Sequence, residues 1–144
     1  MKYIFSFFIL SILFSCSSDR GNRNPYLQDI GFRFDINLNL PKYSPLTNVS
    51  NAVFVDANGV GTKGAFVINT GSTYRAFEAS CPNHAPSECS TMTLNNLVVT
   101  CPCDDYEYHL LTGQLLNTPK DGNRYYNLLE YRATRSGNIV TISN

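Results

Sequence analysis

The stretch "GFRFDINLNL", residues 31 to 40, alternates without a break. Phe32, Phe34, Ile36, Leu38 and Leu40 fall on one side; Arg33, Asp35, Asn37 and Asn39 fall on the other. A period of two places successive side chains on opposite faces of a pleated strand, so the stretch predicts a half-buried β-strand, which Pro41 ends. The plan returns along the chain. "NAVFVDANG" is a short apolar run closing on a turn signal, and "AFVINTGSTYRAFEAS" reads as two strands around Asn69-Thr70-Gly71-Ser72. "STMTLNNLVVT" repeats this around Asn95-Asn96, "YEYHLLTGQLLN" turns at Thr112-Gly113, and "YNLLEYRATRSGNIVTIS" is a last hairpin around Ser136-Gly137-Asn138. No window holds a helical period for three or four turns. Short strands about every ten residues, with Gly or Asn between them, predict an all-β antiparallel sandwich or barrel.

The N-terminus follows a different pattern. Residues 3 to 14 are almost wholly apolar and follow Lys2. That is too short for a membrane span and reads as a signal peptide over residues 1–15. It ends Leu13-Phe14-Ser15-Cys16, which resembles a bacterial lipobox. In that motif the cysteine is acylated and becomes the first residue, so Cys16 is the candidate lipidation site. An ordinary signal peptide with an incidental Cys16 is the alternative. Residues 16–28, "CSSDRGNRNPYLQ", are polar and predict a flexible tether reaching roughly 40 Å when extended. Residues 29–144 then form one β domain. The expected location is the bacterial cell envelope, lipid-anchored to a membrane, with the domain outside the cytoplasm. Such a compartment is oxidising, and paired cysteines there become disulfides.

Charge narrows the partners. The chain carries 11 Lys and Arg against 11 Asp and Glu, and nothing basic is clustered, so nucleic acid is not an expected partner.

Four of the five cysteines fall in two groups, Cys81-Pro82-Asn83-His84…Cys89 and Cys101-Pro102-Cys103-Asp104. Each follows a predicted strand, "YRAFEAS" or "LVVT", and so sits in a loop at a strand end. Two facing loops of this kind suit a metal held between them. A [2Fe–2S] cluster of mixed type needs two thiolates on one iron and two imidazoles on the other, one of each from each loop.

Here the chain resembles the Rieske family, from about "GAFVINTGSTYRAFEASCP" to the C-terminal hairpin. The family's second loop runs Cys-Pro-x-His-Gly-Ser-x-Phe/Tyr-Asp, then a Thr-Gly turn and a proline. This chain runs Cys101-Pro102-Cys103-Asp104-Asp105-Tyr106-Glu107-Tyr108-His109, then Thr112-Gly113 and Pro119, in frame. The resemblance implies a Rieske-like antiparallel sandwich with two cysteine-bearing loops. Cys89 and Cys103 fall where a subclass of the family carries two extra cysteines, which implies a disulfide between them. The implied metal ligands are Cys81, His84, Cys101 and Asp104. Asp104 stands where the family has histidine. His84 comes one residue later than the family's Cys-x-His spacing. Asp105-Tyr106 replaces the Gly-Ser that hydrogen-bonds the cluster sulfurs.

Three readings stay open on the residues. The first is a [2Fe–2S] cluster on Cys81, His84, Cys101 and Asp104, with a carboxylate lowering its potential. The second is a cluster-free fold closed by Cys89–Cys103 and Cys81–Cys101. Of the three pairings that four cysteines allow, another needs a strained Cys101-x-Cys103 bridge. The third, ranked below the cluster, is a lone zinc on Cys81, His84, Cys101 and one further thiol or carboxylate. His109, five residues past Asp104, reads as a surface or capping residue, and the tyrosines Tyr106, Tyr108, Tyr125, Tyr126 and Tyr131 as packing residues.

No residue set suits acid–base or nucleophilic catalysis, and no catalytic residue is assigned. The resemblance implies a membrane-anchored electron carrier serving a redox or envelope protein. That carrier, with degenerate cluster ligands, is the expected function; the departures at the ligand positions leave a cluster-free binding or scaffolding lipoprotein held by disulfides as the alternative.

Overall fold

A computed structural model describes residues 23–144. The predicted signal peptide, Cys16 and the first part of the predicted tether lie outside the described residues. Within them the chain forms nine strands: β1 Arg33–Asn37, β2 Ala52–Val55, β3 Ala65–Asn69, β4 Tyr74–Glu78, β5 Thr93–Asn95, β6 Val98–Thr100, β7 Glu107–His109, β8 Glu130–Ser136 and β9 Ile139–Ser143. The helical elements among these residues are short 3₁₀ turns, Ser44–Thr47 and Glu88–Ser90. The all-β expectation holds, with the predicted hairpins β3–β4, β5–β6 and β8–β9 in place.

The strands make a six-stranded sheet ordered β1-β9-β8-β4-β3-β2 and a three-stranded sheet ordered β5-β6-β7. Every strand pair is antiparallel. The six-stranded sheet curls. Ile36 on one edge strand and Val53 and Val55 on the other share a single core with Val67, Ala76, Tyr131, Val140 and Ile142. A second core lies where this sheet meets the smaller one. It joins Phe66, Ile68 and Phe77 to Val99, Tyr108 and Leu110, and it includes Cys81 and Cys101.

β3 explains why "AFVIN" is a continuous apolar run. Its residues are all buried; Ala65 and Val67 face the first core, Phe66 and Ile68 the second. A strand covered on both faces loses the polar half of its alternation.

The strand from Phe32 ends sooner than its pattern suggests. Ile36 and Leu38 are buried, but Leu40 is exposed. The chain turns there, with Asn37 O accepting Leu40 N–H and Asn37 Oδ1 accepting Asn39 N–H. At the other end, Asn24 to Leu27, within the stretch read as tether, lie against the domain. Asn24 Nδ2 donates to Pro82 O at 2.8 Å, Leu27 is buried, and Tyr26 meets Tyr126 edge-on.

Glu78, the last residue of β4, is fully buried. Its carboxylate accepts the backbone N–H of Thr62 (2.6 Å), Lys63 (3.0 Å) and Ser80 (2.8 Å) and the hydroxyl of Tyr131 (2.6 Å). The glycine-bearing loop "GVGTKG" wraps this carboxylate. Gly61 has φ +56°, and a Cβ there would meet Glu78 Oε2 at 2.6 Å. Burial, and the bond to Glu78, push the Tyr131 hydroxyl above the usual phenol range. Because Ser80 is one of the donors, the same carboxylate fixes the backbone one residue before Cys81.

Candidate functional site

Two loops build the site. The first joins β4 to β5. Its base continues the strand ladder: Ser80 bridges Thr91, Cys81 N–H donates to Ser90 O at 2.8 Å, and Met92 N–H donates to Ala79 O at 2.9 Å. The second joins β6 to β7 in a tight turn. Cys101 N–H donates to Tyr106 O, and Asp105 N–H donates back to Cys101 O at 2.9 Å. Asp105 has φ +56°, a left-handed conformation that favours glycine. In the Rieske-like pattern of the sequence, this is the position that carries glycine.

Both loops are stitched to each other. Cys81 and Cys101 form a disulfide with Cα atoms 5.8 Å apart, and Cys89 and Cys103 form a second with Cα atoms 5.5 Å apart. The Cys81–Cys101 pair is fully buried in the second core. The Cys89–Cys103 pair lies toward the rim, where Ser87 Oγ reaches Cys89 Sγ at 3.4 Å.

His84 stands beside the buried pair. Its Nδ1 lies 2.9 Å from Ala85 O. A carbonyl only accepts, so Nδ1 donates to it. Nε2 is 3.4 Å from Cys101 Sγ and 3.5 Å from Asp104 Oδ2. The two side chains are partly open to solvent, at 23% and 35% exposure, while the sulfurs are sealed beneath them. Ligand atoms of Cys81, His84, Cys101 and Cys103 all fall within 4.8 Å of one another. Thus Cys81, His84 and Cys101 are brought together, with Cys103 as the fourth member of the group, while Asp104 reaches it at His84 Nε2. His109 is not among them; it lies on β7, where its carbonyl closes the Thr112–Gly113 turn.

Asn83 holds a role the sequence did not signal. It sits where the Rieske-like Cys-x-His spacing puts histidine. Instead of facing the sulfurs, its Nδ2 donates to Tyr108 Oη (2.8 Å) and Tyr126 O (2.9 Å), and its Oδ1 accepts Tyr126 N–H (2.7 Å). Asn83 therefore pins the first loop to β7 and to the segment before β8. The extra residue lets His84, one position later, turn toward Cys101. Burial pushes the Tyr108 hydroxyl above the usual phenol range, which keeps it protonated.

The donor set can be compared with what a mixed-type [2Fe–2S] cluster requires. That cluster takes two free thiolates and two imidazoles. Here both core thiols are spent in one bond, one imidazole is present, and the second is a carboxylate. As they stand, the residues do not fit it.

No protein-family model matches this sequence, and no curated protein matches it. Among solved structures, one chain of the complex of reduced oxygenase and oxidized ferredoxin in carbazole 1,9a-dioxygenase is similar at 17% sequence identity. The match covers 81% of this chain and 94% of that chain, with a TM-score of 0.48.

Proposed function

We propose that this chain is a lipid-anchored envelope protein with a Rieske-like domain that works without a cluster, as a binding or scaffolding module. The observation that carries this reading is the disulfide between Cys81 and Cys101. It joins the two thiols that would have to bind iron, and it lies inside the core rather than at an adaptable surface. Asp104 in place of an imidazole agrees with it. The Rieske-like assignment rests on the in-frame run from Cys101 to Pro119 and on cysteine loops that follow β4 and β6 and meet. The anchoring rests on the lipobox-like sequence ending at Cys16.

An electron-carrying role is the second reading. The convergence of Cys81, His84, Cys101 and Cys103 within 4.8 Å favours it, and it requires the Cys81–Cys101 bond to open.

Two measurements on exported protein test the proposal. Non-reducing peptide mapping is expected to recover Cys81 linked to Cys101 and Cys89 linked to Cys103; free thiols at 81 and 101 would contradict it. Cys16→Ser is expected to leave an uncleaved precursor or to release the protein from membranes. Normal processing with unchanged membrane partitioning would remove the anchor from the account.

A further inference from the structure

We infer that opening the Cys81–Cys101 disulfide converts this spot into a mononuclear zinc-type site, with Cys81, Cys101, His84 and Asp104 as its four ligands. The inference rests on the disulfide-closed reading above and adds a ligand class and a redox gate to it.

The geometry points to one ion rather than two. Bonds of about 2.1 Å to nitrogen and 2.3 Å to sulfur at a tetrahedral angle place those two atoms about 3.6 Å apart; nitrogen and a carboxylate oxygen come out about 3.4 Å apart. The observed separations from His84 Nε2 are 3.4 Å to Cys101 Sγ and 3.5 Å to Asp104 Oδ2. Two edges of a tetrahedron are already built. A mixed-type cluster would put imidazole and thiolate on different irons, which does not suit a nitrogen in contact with the sulfur.

The chemistry of the three atoms agrees. Imidazole nitrogen, carboxylate oxygen and thiolate sulfur are all zinc-ligand atoms. The Nδ1 contact with Ala85 O is the outer hydrogen bond that orients a metal-binding imidazole and fixes its tautomer. Imidazole, thiolate and carboxylate together suit zinc or a similar borderline divalent ion.

The fourth corner is Cys81, and it is closed in the oxidised state. A dithiol reductant supplies two electrons and two protons. The Cys81–Cys101 bond breaks, two thiols form, and the reductant leaves as its own disulfide. On metal binding the thiols release those protons to solvent. The disulfide and the metal therefore exclude each other. Cys103, the remaining member of the sulfur group, is bonded to Cys89 at the rim in the oxidised chain.

Cobalt(II) titration of the full chain under argon tests this. The oxidised protein is expected to bind none. After dithiol reduction and removal of the reductant it is expected to take one cobalt per chain, with thiolate-to-cobalt charge transfer. The double variant Cys89→Ser/Cys103→Ser, which keeps only the core pair, is expected to do the same. His84→Ala and Asp104→Asn alter partly exposed side chains and leave the core intact. Each is expected to weaken binding by more than the roughly 10- to 100-fold that outer-shell partners are worth. Absence of cobalt binding by the reduced, folded chain overturns the inference, as does binding indifferent to both His84→Ala and Asp104→Asn. Loss of binding in the Cys89→Ser/Cys103→Ser variant overturns the assignment of Asp104 as the fourth ligand. Stoichiometric iron and sulfide in the chain as isolated would instead defeat the cluster-free reading itself. An iron-free chain that refuses cobalt after reduction defeats only this inference.

Discussion

Glu78→Ala is expected to lower the stability of the domain by about 3 to 5 kcal/mol, since each buried donor left without a partner costs roughly 1 to 3 kcal/mol. Four donors converge on this carboxylate, from Thr62, Lys63, Ser80 and Tyr131. Water entering the space restores some of those bonds, which keeps the total below the plain sum. Glu78→Gln retains one acceptor oxygen and turns an amide donor toward other donors, so it is expected to fall between alanine and wild type. Glu130→Ala is the control. Its ion pair with Arg75, at 2.7 Å, lies at the surface, where such pairs contribute about 0 to 1 kcal/mol. Urea denaturation of the oxidised proteins checks both. A Glu78→Ala variant no less stable than Glu130→Ala would show that the carboxylate does not hold the "GVGTKG" loop and the start of the first cysteine loop together.

Cys81→Ala/Cys101→Ala is expected to have an effect of similar size. Closing a loop between residues 20 apart in sequence contributes about 3 kcal/mol in the chain-entropy account. The sulfurs also fill the second core among Phe77, Val99 and Tyr108, and small deletions there add roughly 1 kcal/mol. Cys89→Ala/Cys103→Ala removes a bond between residues 14 apart but at the rim, so the entropy term of about 3 kcal/mol stands nearly alone. The core pair should therefore be the costlier loss in the same denaturation experiment. The reverse order would mean that Cys81 and Cys101 are not bonded in the native protein.

Much of the strand pattern was legible because period two is a local signal. The hairpins at Asn69-Thr70-Gly71-Ser72, Asn95-Asn96 and Ser136-Gly137-Asn138 carry their turn residues with them; Asn96 has φ +55°, as a tight turn asks. Sheet order was not legible. β1 pairs with β9 and β4 with β8, and no local pattern encodes partners so far apart in sequence.

The burial of Glu78 was not legible for a related reason. Period two puts it on the face of Tyr74 and Ala76, and the donors that satisfy its carboxylate come from a distant loop and from Tyr131. At the site, the Cys89–Cys103 pair was implied by the Rieske resemblance, whereas Cys81–Cys101 was one of three readings the residues left open. The turn of His84 toward Cys101 was not legible, because it depends on Asn83 taking partners on β7 and before β8. Asp104 was recognisable as a departure from a frame, whereas its position against His84 Nε2 is a property of the folded loops.

The most direct test of the account is the iron and acid-labile sulfide content per chain of protein produced anaerobically, read together with its visible spectrum. The account predicts no stoichiometric iron or sulfide, no visible iron–sulfur bands, and a spectrum unchanged in Cys81→Ala/Cys101→Ala. Two irons and two sulfides per chain, with visible bands lost in that variant, would contradict it.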